Sequence, residues 1–345
     1  MTQMQTQAQM QINEIQFTDN NPQLASFAEE VINGLNQSPR CIPPKFFYDK
    51  RGSHIFDDIC ETDEYYVTRT ETELLKRHNA EIAELIGTDC LLVEPGSGSS
   101  QKVRILLDKL KPQTYLPMDI SRDYLELVAQ ELADEFKWLD VHAACVDYTA
   151  PIDLSFAENN SPTSTENPVT NKIKKIAFFP GSSIGNFEKS QAKHFLCNME
   201  KMLGDNGGLL IGVDLKKNPS TLHAAYNDTD GATAEFNLNL LTRINRELGA
   251  NFNLDDFSHH AFYNEQKGRI EMHLVSNCPQ SVLIDSEYFH FDEGETIHTE
   301  NSYKYYIDEF QELASKAGFN ARRVWTDENN LFSLHYFEVA EKNLP

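Results

Sequence analysis

The chain has few basic residues. Among its 345 residues, 30 are Lys or Arg and 53 are Asp or Glu, so its formal net charge is −23. A protein that binds nucleic acid or an anionic membrane surface needs a basic face. A local basic groove stays open, but the basic residues are spread thinly along the chain. We therefore expect neither nucleic acid nor a membrane as a partner, and we expect a monomer because the like charge disfavours self-association.

Long apolar runs and paired cysteines are also missing. No stretch approaches the ~20 apolar residues of a membrane-spanning helix. The first basic residue is Arg40, so the N-terminus lacks the charged region of a signal peptide. The six cysteines stand far apart, with no Cys-x-x-Cys pair, and the single histidine pair, His259-His260, is a weak metal candidate. These absences indicate a reduced, cytoplasmic enzyme without a metal.

The order of the predicted elements indicates two units. Residues 1–13 are rich in Gln and Met and are expected to form a disordered tail. From about residue 89, short apolar runs alternate with helical patterns, which is typical of a parallel sheet covered on both faces. The five predicted strands are Cys90–Val93, Thr114–Met118, Val141–Val146, Lys175–Phe179 and Gly208–Val213. A polar insertion, residues 157–171, lies in the crossover to the fourth strand.

The alternation stops between about residues 218 and 300, which predicts a second unit. A helix is predicted at 235–248, with strands at 269–275 and 286–291. Beyond it, a helix at 303–317 precedes two strands, Arg322–Thr326 and Leu331–Val339, that are expected to return to the first sheet. Upstream of the sheet, helical periodicity marks residues 22–37 and 71–85.

A glycine motif follows the first predicted strand of the sheet. Glu94-x-Gly96-x-Gly98 stands between that strand and a helix, the context in which such a motif binds a ligand. Glycines there let a ligand approach the backbone. A dinucleotide site would need a third glycine three residues after Gly98, where Gln101 stands. This weakens one alternative, a nicotinamide-dependent dehydrogenase.

Polar residues follow the next two strands. Asp119 can accept both hydroxyls of a ribose, Asp147-Tyr148 can accept from an adenine amino group, and Lys102 can pair with a ligand carboxylate. The competing interpretation is that both aspartates merely cap their helices. Because no phosphate cradle is present, the implied ligand carries adenine, ribose and a carboxylate, and S-adenosylmethionine fits that description.

These residues resemble one family when further motifs are added. The motifs are KFFYD (45–49), EYYVTR (64–69), PGSSIGN (180–186), RIEM (269–272) and TENS (299–302). From about residue 14 to 340 the chain resembles the histidine-specific methyltransferases, typified by the L-histidine Nα-methyltransferase of ergothioneine biosynthesis. The resemblance implies an α/β fold, a Rossmann-type class I methyltransferase sheet with a smaller α+β domain. Residues 14–70 and 216–302 would bind the substrate, and residues 71–215 and 303–345 would bind S-adenosylmethionine.

The resemblance also implies an activity. Members use S-adenosylmethionine to methylate the α-amino group of histidine three times, giving hercynine. The implied cofactor-binding residues are Glu94, Gly96, Gly98, Lys102, Asp119, Asp147 and Tyr148. The implied substrate-binding residues are Tyr48, Tyr65, Gly181, Asn186, Tyr226, Met272, Glu300 and Ser302, of which Tyr48 and Tyr65 are also the catalytic candidates.

The chemistry of these side chains suits an amino acid with an imidazole ring. Glu300 can accept from a ring N–H, and Ser302 can donate to or accept from the other ring nitrogen. Met272 offers an apolar wall. Asn186 and Tyr226 can hold the amino and carboxylate groups. Tyr65 can orient the nitrogen lone pair.

Other interpretations compete with these roles. Glu300 could be a carboxylate at the start of a helix, Met272 a core residue and Asn186 a turn residue, while both tyrosines could be packing aromatics. Asn301 is expected to point away from the pocket if its segment is extended. Another aromatic amino acid or a small amine stays open as substrate, and a non-catalytic nucleoside-binding module stays open as a different class.

Overall fold

A computed structural model describes residues 15–20, 27–158 and 173–341 of the chain. The predicted tail 1–13 lies outside the described residues, as does nearly all of the predicted insertion 157–171. The strands are β1 (Gln16–Asp19), β2 (Arg40–Cys41), β3 (Leu91–Pro95), β4 (Thr114–Asp119), β5 (Asp140–Cys145), β6 (Lys175–Phe179), β7 (Gly208–Asp214), β8 (Phe257–Asn264), β9 (Arg269–Ser276), β10 (Gln280–Ile284), β11 (Glu287–Phe291), β12 (Thr296–Tyr303), β13 (Phe319–Thr326) and β14 (Phe332–Val339). The α-helices are α1 (Phe27–Leu35), α2 (Lys50–Glu61), α3 (Tyr66–Ile86), α4 (Gln101–Leu110), α5 (Arg122–Glu135), α6 (Ser155–Glu158), α7 (Lys189–Leu203), α8 (Pro219–Ala225), α9 (Ala232–Leu248) and α10 (Ile307–Ser315).

The large sheet has eight strands in the order β1-β5-β4-β3-β6-β7-β14-β13. The first six strands in this order pair in parallel, and β14 runs antiparallel to both β7 and β13. From the centre, the chain moves through β4 and β5 to one side and through β6 and β7 to the other. Ligands bind at such a switch point, beyond the carboxyl ends of the strands. The fold therefore provides a crevice between β3 and β6.

Burial explains why this sheet forms. Every residue of β3 and of β7 is buried, as expected for strands covered on both faces. Helix α4 buries Val103, Leu106, Leu107 and Leu110, which share one helical face, in the core beside α3. Each such side chain contributes about 1.5–3 kcal/mol when fully buried. Within the described residues, no helix is both long and apolar enough to cross a bilayer.

A second sheet of four strands lies beside the first, in the order β2-β12-β9-β8. Strands β8, β9 and β12 are antiparallel, and β10 and β11 form a separate hairpin. Helix α9 packs on β8 and β9 and also contacts α2. Phe236 of α9 packs against Phe47, with ring centroids 4.6 Å apart.

Two segments differ from the sequence-based domain boundaries. Strand β1, expected in the substrate domain, instead pairs in parallel with β5 at the edge of the large sheet, Gln16 opposite His142. The proposed boundary at residues 70/71 falls inside α3, which is one continuous helix. The pairing partner of a short edge strand depends on which sheet offers a free edge, and a local pattern does not reveal that. The two closing strands do return to the large sheet, as predicted.

Candidate active site

The glycine turn after β3 gives close access to the backbone. Gly96 has φ +66° and Gly98 has φ +50°, a region that favours glycine. A Cβ on Gly96 would lie 3.1 Å from the Tyr148 ring, whereas one on Gly98 would meet no atom within 4 Å. The turn is therefore closed by Tyr148 on one side and open on the other. An adenosyl group fits such a cradle.

Asp119, at the end of β4, ties the turn to the next helix. Its carboxylate accepts from the backbone N–H of Gly98 at 3.1 Å and from that of Ser121 at 3.0 Å. Burial raises the pKa of Asp119, and these N–H groups oppose the rise. Asp119 therefore orders the glycine turn and the start of the segment that leads into α5.

Asp147 and Tyr148 follow β5 on the same edge of the sheet. Asp147 accepts from the backbone N–H and the hydroxyl of Thr149, and Lys45 Nζ lies 3.9 Å from its other oxygen. The Tyr148 ring packs against Phe179 and Phe195, at 6.0 and 6.3 Å between centroids. Tyr148 is thereby fixed over Gly96.

A buried carboxylate that sequence reasoning missed joins the two central loops. Glu71 of α3 is fully buried, accepts from Lys102 Nζ at 2.6 Å and accepts from the Gly181 backbone N–H at 2.8 Å. Lys102, expected to pair with a ligand carboxylate, is therefore paired within the protein. The N–H of Gly181 is likewise engaged within the protein. The ion pair of Lys102 and Glu71 joins α4 to α3, and no local sequence motif predicts such a pair.

Glu94 lies beneath the cradle. It is buried, and its carboxyl group accepts from the Tyr115 hydroxyl, which also bonds Ser100. Burial raises the pKa of Glu94 to about 8, although Tyr115 and Lys102 oppose the rise. Glu94 thus supports the turn as a largely protonated acid at neutral pH.

We name the face of β9 and β12 that carries the substrate-binding candidates Met272, Glu300 and Ser302 the substrate side. Glu300 pairs directly with Met272 across the two strands, and Ser302 follows two residues later on the same face. A β-bulge between His298 and Glu300 shifts the register, which turns Glu300 to the side of Met272. Asn301 points to the opposite face, where its amide donates to Glu188 at 3.2 Å, as predicted. Glu300 lies in a strand, so its helix-start alternative is wrong.

Polar contacts hold the bulge in place. The Thr299 hydroxyl donates to Asn237 Oδ1 at 2.8 Å, and the Asn237 amide donates to His259 Nδ1 at 2.9 Å. The other ring nitrogen of His259 lies 2.9 Å from the Tyr226 carbonyl oxygen, to which it donates. Burial lowers the pKa of His259, so its ring stays neutral. Both ring nitrogens of His259, one of the weak metal candidates, are therefore engaged in hydrogen bonds within the protein.

Glu300 is the central acid of this side. Burial raises its pKa to about 7, against the opposing charge of Lys304. Beside it, Ser302 Oγ accepts from the Tyr226 hydroxyl at 2.7 Å and from Lys304 Nζ at 2.7 Å. The hydroxyl of Tyr226, which is expected to hold the amino or carboxylate group of the substrate, is therefore engaged with Ser302 within the protein.

Aromatic rings connect this face with the N-terminal segment. Tyr65 lies at 6.1 Å from Tyr226 and at 6.4 Å from Phe56, between ring centroids. Tyr48 lies at 5.8 Å from Phe56 and at 5.6 Å from Phe236. Burial raises the pKa of both Tyr48 and Tyr65 well above the usual value. Both phenols therefore keep their protons at neutral pH.

Acidic groups from both halves of the site act on the Tyr48 hydroxyl. After burial, the groups that raise its pKa are Glu300 of the substrate side, Tyr148, Cys60 and Asp119 of the cofactor side. Arg243 of α9 holds the preceding turn by donating to the Phe46 carbonyl at 2.9 Å. A cavity of about 350 Å³ lies between residues 45–54 and 120–127, with Tyr48 in its wall.

Asn186 closes a short 3₁₀ turn, Ser183–Asn186, after β6. A Cβ on Gly185 would lie only 2.8 Å from the Tyr303 carbonyl oxygen, so the turn packs directly on the end of β12. Ser182, just before it, accepts from the backbone N–H of Asp214 at 2.9 Å. Asn186 therefore lies on the same side of the molecule as Ser302, next to the loop that carries Gly181.

A cluster with metal-binding residue types lies on the other face of the small sheet. Ligand atoms of Glu271, His273 and His298 lie within 4.8 Å of one another. The two imidazoles are stacked, with centroids 4.7 Å apart and planes 14° apart, and Arg269 pairs with Glu271 at 2.7 Å. Because a ring nitrogen binds an ion within its own plane, two stacked rings do not converge on one ion.

The chain is an S-adenosylmethionine-dependent methyltransferase. The chain belongs to the family of histidine-specific, S-adenosylmethionine-dependent methyltransferases, which it matches over residues 27–339. This membership confirms the predicted family, fold class and methyl donor. It sets aside the nicotinamide-dependent dehydrogenase and the non-catalytic nucleoside-binding module.

Curated relatives cover most of the chain. Histidine N-alpha-methyltransferase of Mycobacterium tuberculosis is 36% identical over 311 residues, 88% of this chain and 92% of that protein. Ergothioneine biosynthesis protein 1 of Neurospora crassa is 32% identical over 304 residues, 86% of this chain and 33% of that protein. The 4-dimethylallyltryptophan N-methyltransferase easF of Claviceps purpurea is 26% identical over 341 residues, 91% of this chain and 95% of that protein.

Proposed function

We propose that this enzyme methylates the α-amino group of L-histidine three times and releases hercynine. The observation that carries the proposal is that the loop after β6 contacts both sides of the site. Its Gly181 N–H donates to Glu71, the partner of Lys102, and its Gly185 packs on Tyr303, next to Ser302. An amino acid whose ring contacts Glu300 and Ser302 would then direct its other end towards the cradle. The name of the mycobacterial relative agrees with this substrate.

The polar face suits an imidazole better than an indole or a phenyl ring. Glu300 and Ser302 lie two residues apart on one strand, so they can contact two polar atoms of a small ring. An imidazole has two such nitrogens, an indole has one and a phenyl ring has none. The substrate class in the name of the Claviceps relative, a prenylated tryptophan, makes indole the natural comparison. Met272 supplies the apolar wall.

The residues act by binding and orientation. When bound, S-adenosylmethionine supplies a methyl group on a sulfonium, which becomes a thioether when the amine nitrogen takes the methyl. Correct positioning of two reactants is worth ~7–11 kcal/mol. Tyr48 and Tyr65 stay protonated, so we assign them to orienting the amine, whose proton leaves to solvent. Their ring faces can favour the growing ammonium by ~0.5–2 kcal/mol.

The decisive experiment offers the enzyme S-adenosylmethionine and an equimolar mixture of amino acids, followed by mass spectrometry. We expect one, two and then three methyl groups on histidine, and none on tryptophan, tyrosine or phenylalanine. A product that carries only one or two methyl groups would contradict the trimethylation but not the choice of histidine as substrate. Methylation of another amino acid in preference to histidine would contradict the substrate assignment.

We also keep three coarser expectations as proposals. The two-domain division, action in the cytoplasm and a monomeric state agree with the two sheets, the six free thiols and the net charge of −23. Sedimentation at several protein concentrations tests the monomer. A mass that rises with concentration towards twice 39.4 kDa would contradict it.

A further inference from the structure

The substrate face rests on a buried group of charges. Lys304 and Asp214 are both inaccessible to solvent, and Lys304 Nζ lies 2.7 Å from Asp214 Oδ2. On its other side, Asp214 contacts Lys217 Nζ at 2.6 Å and accepts from the Tyr66 hydroxyl at 2.8 Å. Burial alone would lower the pKa of Lys304, but Asp214 outweighs it and raises the pKa. Lys304 is therefore an ammonium group directly beneath the pocket.

All three protons of this ammonium are used. One is donated to Asp214, one to Ser302 Oγ at 2.7 Å and one to the Tyr226 hydroxyl at 3.0 Å. The Tyr226 hydroxyl in turn donates to Ser302 Oγ at 2.7 Å. Lys304, Tyr226 and Ser302 thus form a closed triangle of hydrogen bonds.

The number of protons in the triangle determines which of its groups donate and which accept. The two hydroxyls carry one proton each, and the Tyr226 proton is used between them. Ser302 Oγ already accepts twice, so both of its lone pairs are engaged. Its own proton takes part in none of the three bonds. Because Ser302 shares the face of Glu300 and Met272, that proton is available to a ligand in the pocket.

We infer that Lys304 is a positioning residue that makes Ser302 a hydrogen-bond donor, so that the pocket selects a neutral ring with an acceptor nitrogen towards Ser302 and an N–H towards Glu300. This inference rests on the proposed function, since it specifies which hydrogen bonds recognise the imidazole ring. A doubly protonated ring would bring an N–H against the Ser302 proton. A ring without an acceptor nitrogen would leave that proton unpaired.

The test compares the dissociation constants of histidine and of pyrrolylalanine, measured by calorimetry on the full chain. Pyrrolylalanine keeps one ring N–H but has no acceptor nitrogen, and the tighter-binding of its 2-yl and 3-yl isomers is used. We expect wild type to prefer histidine by about three- to tenfold, one neutral hydrogen bond. In Ser302→Ala and in Lys304→Met the preference should fall to near one. Equal binding of the two ligands by wild type overturns the inference.

Lys217→Met is the matched control. It also removes a buried ammonium from Asp214, but Lys217 donates to Asp214, the Tyr66 hydroxyl and the Leu215 carbonyl, and not to Tyr226 or Ser302, so the preference should persist. A preference that persists in Ser302→Ala means that the Ser302 hydroxyl does not recognise the acceptor nitrogen and overturns the inference, even where Lys304→Met does not fold. A preference that persists in folded Lys304→Met, or that Lys217→Met also abolishes, overturns the role of Lys304.

The ratio separates this inference from the proposed function. A structural role of Lys304 would weaken both ligands equally and leave their ratio unchanged. If wild type does not bind histidine, the proposed function fails. If it binds and methylates histidine while the ratio ignores Ser302 or Lys304, the inference alone fails.

Discussion

The two sides of the active site are built by different means. The cofactor side uses backbone, glycines and strand ends, all between Glu94 and Tyr148. The substrate side uses side chains from Tyr48 to Ser302, which meet only through tertiary packing. A backbone cradle depends on a few residue types at local positions. A side-chain pocket depends on partners far apart in the chain and on the direction of each proton.

The largest effect is expected where backbone and side chain conflict, at Gly96→Val. A β-branched residue at φ +66° is strained, and its Cβ would press on the Tyr148 ring. We expect the Kd for S-adenosylmethionine to rise at least about a hundredfold, equivalent to about 3 kcal/mol. Calorimetry measures it.

Gly249→Val is the control for that variant. Gly249 has a similar φ, +62°, and a Cβ there meets no atom within 4 Å, but it lies at the end of α9. It should lower stability without changing cofactor affinity. Equal losses of affinity in the two variants would show that strain, rather than the cradle, is responsible.

The second effect is expected on the substrate side, at Glu300→Ala. A hydrogen bond to a charged group contributes ~1.5–3 kcal/mol, so the KM for histidine should rise about ten- to a hundredfold. The KM for S-adenosylmethionine should not change. Asn301→Ala, the next residue on the opposite face, should leave both constants nearly unchanged. Unaltered histidine kinetics in Glu300→Ala would refute the assignment.

The same contrast explains what could be predicted from the sequence. Continuous apolar runs identify the five central strands, because both faces of each strand are buried. Strand β12 escapes such a pattern, since its inward residues include Glu300 and Ser302, and a binding face lacks the apolar alternation of a core strand. The family motifs supply those residues, but neither Glu71 nor Lys304. Both are recognisable only from partners brought together by folding.

The third prediction concerns pH and the substrate side. Because the pKa of Glu300 is about 7, wild-type enzyme increasingly carries a protonated Glu300 below pH 7. That proton must leave for the carboxylate to accept from the imidazole, so affinity should fall by up to about tenfold per pH unit from this group. Glu300→Gln does not titrate. Between pH 7 and 5.5, the Kd of this variant for histidine should therefore depend on pH only through the titration of histidine itself. Identical pH slopes in the two proteins would contradict the role of Glu300.

The smallest effect is expected on the cofactor side, at the buried acid Glu94. The folded pKa of Glu94 is about 8, above the unfolded value, so an unfolded chain loses its proton first. The stabilisation is complete below pH 4.5 and is lost as pH rises through 8. Glu94→Gln keeps an acceptor for Tyr115 and does not titrate. Its Tm relative to wild type should therefore rise by a few degrees between pH 5.5 and 8.5. A difference in Tm that stays constant with pH would mean that Glu94 is already ionised in the folded protein. The acid beneath the cofactor cradle would then not be held protonated by burial, in contrast to Glu300 on the substrate side.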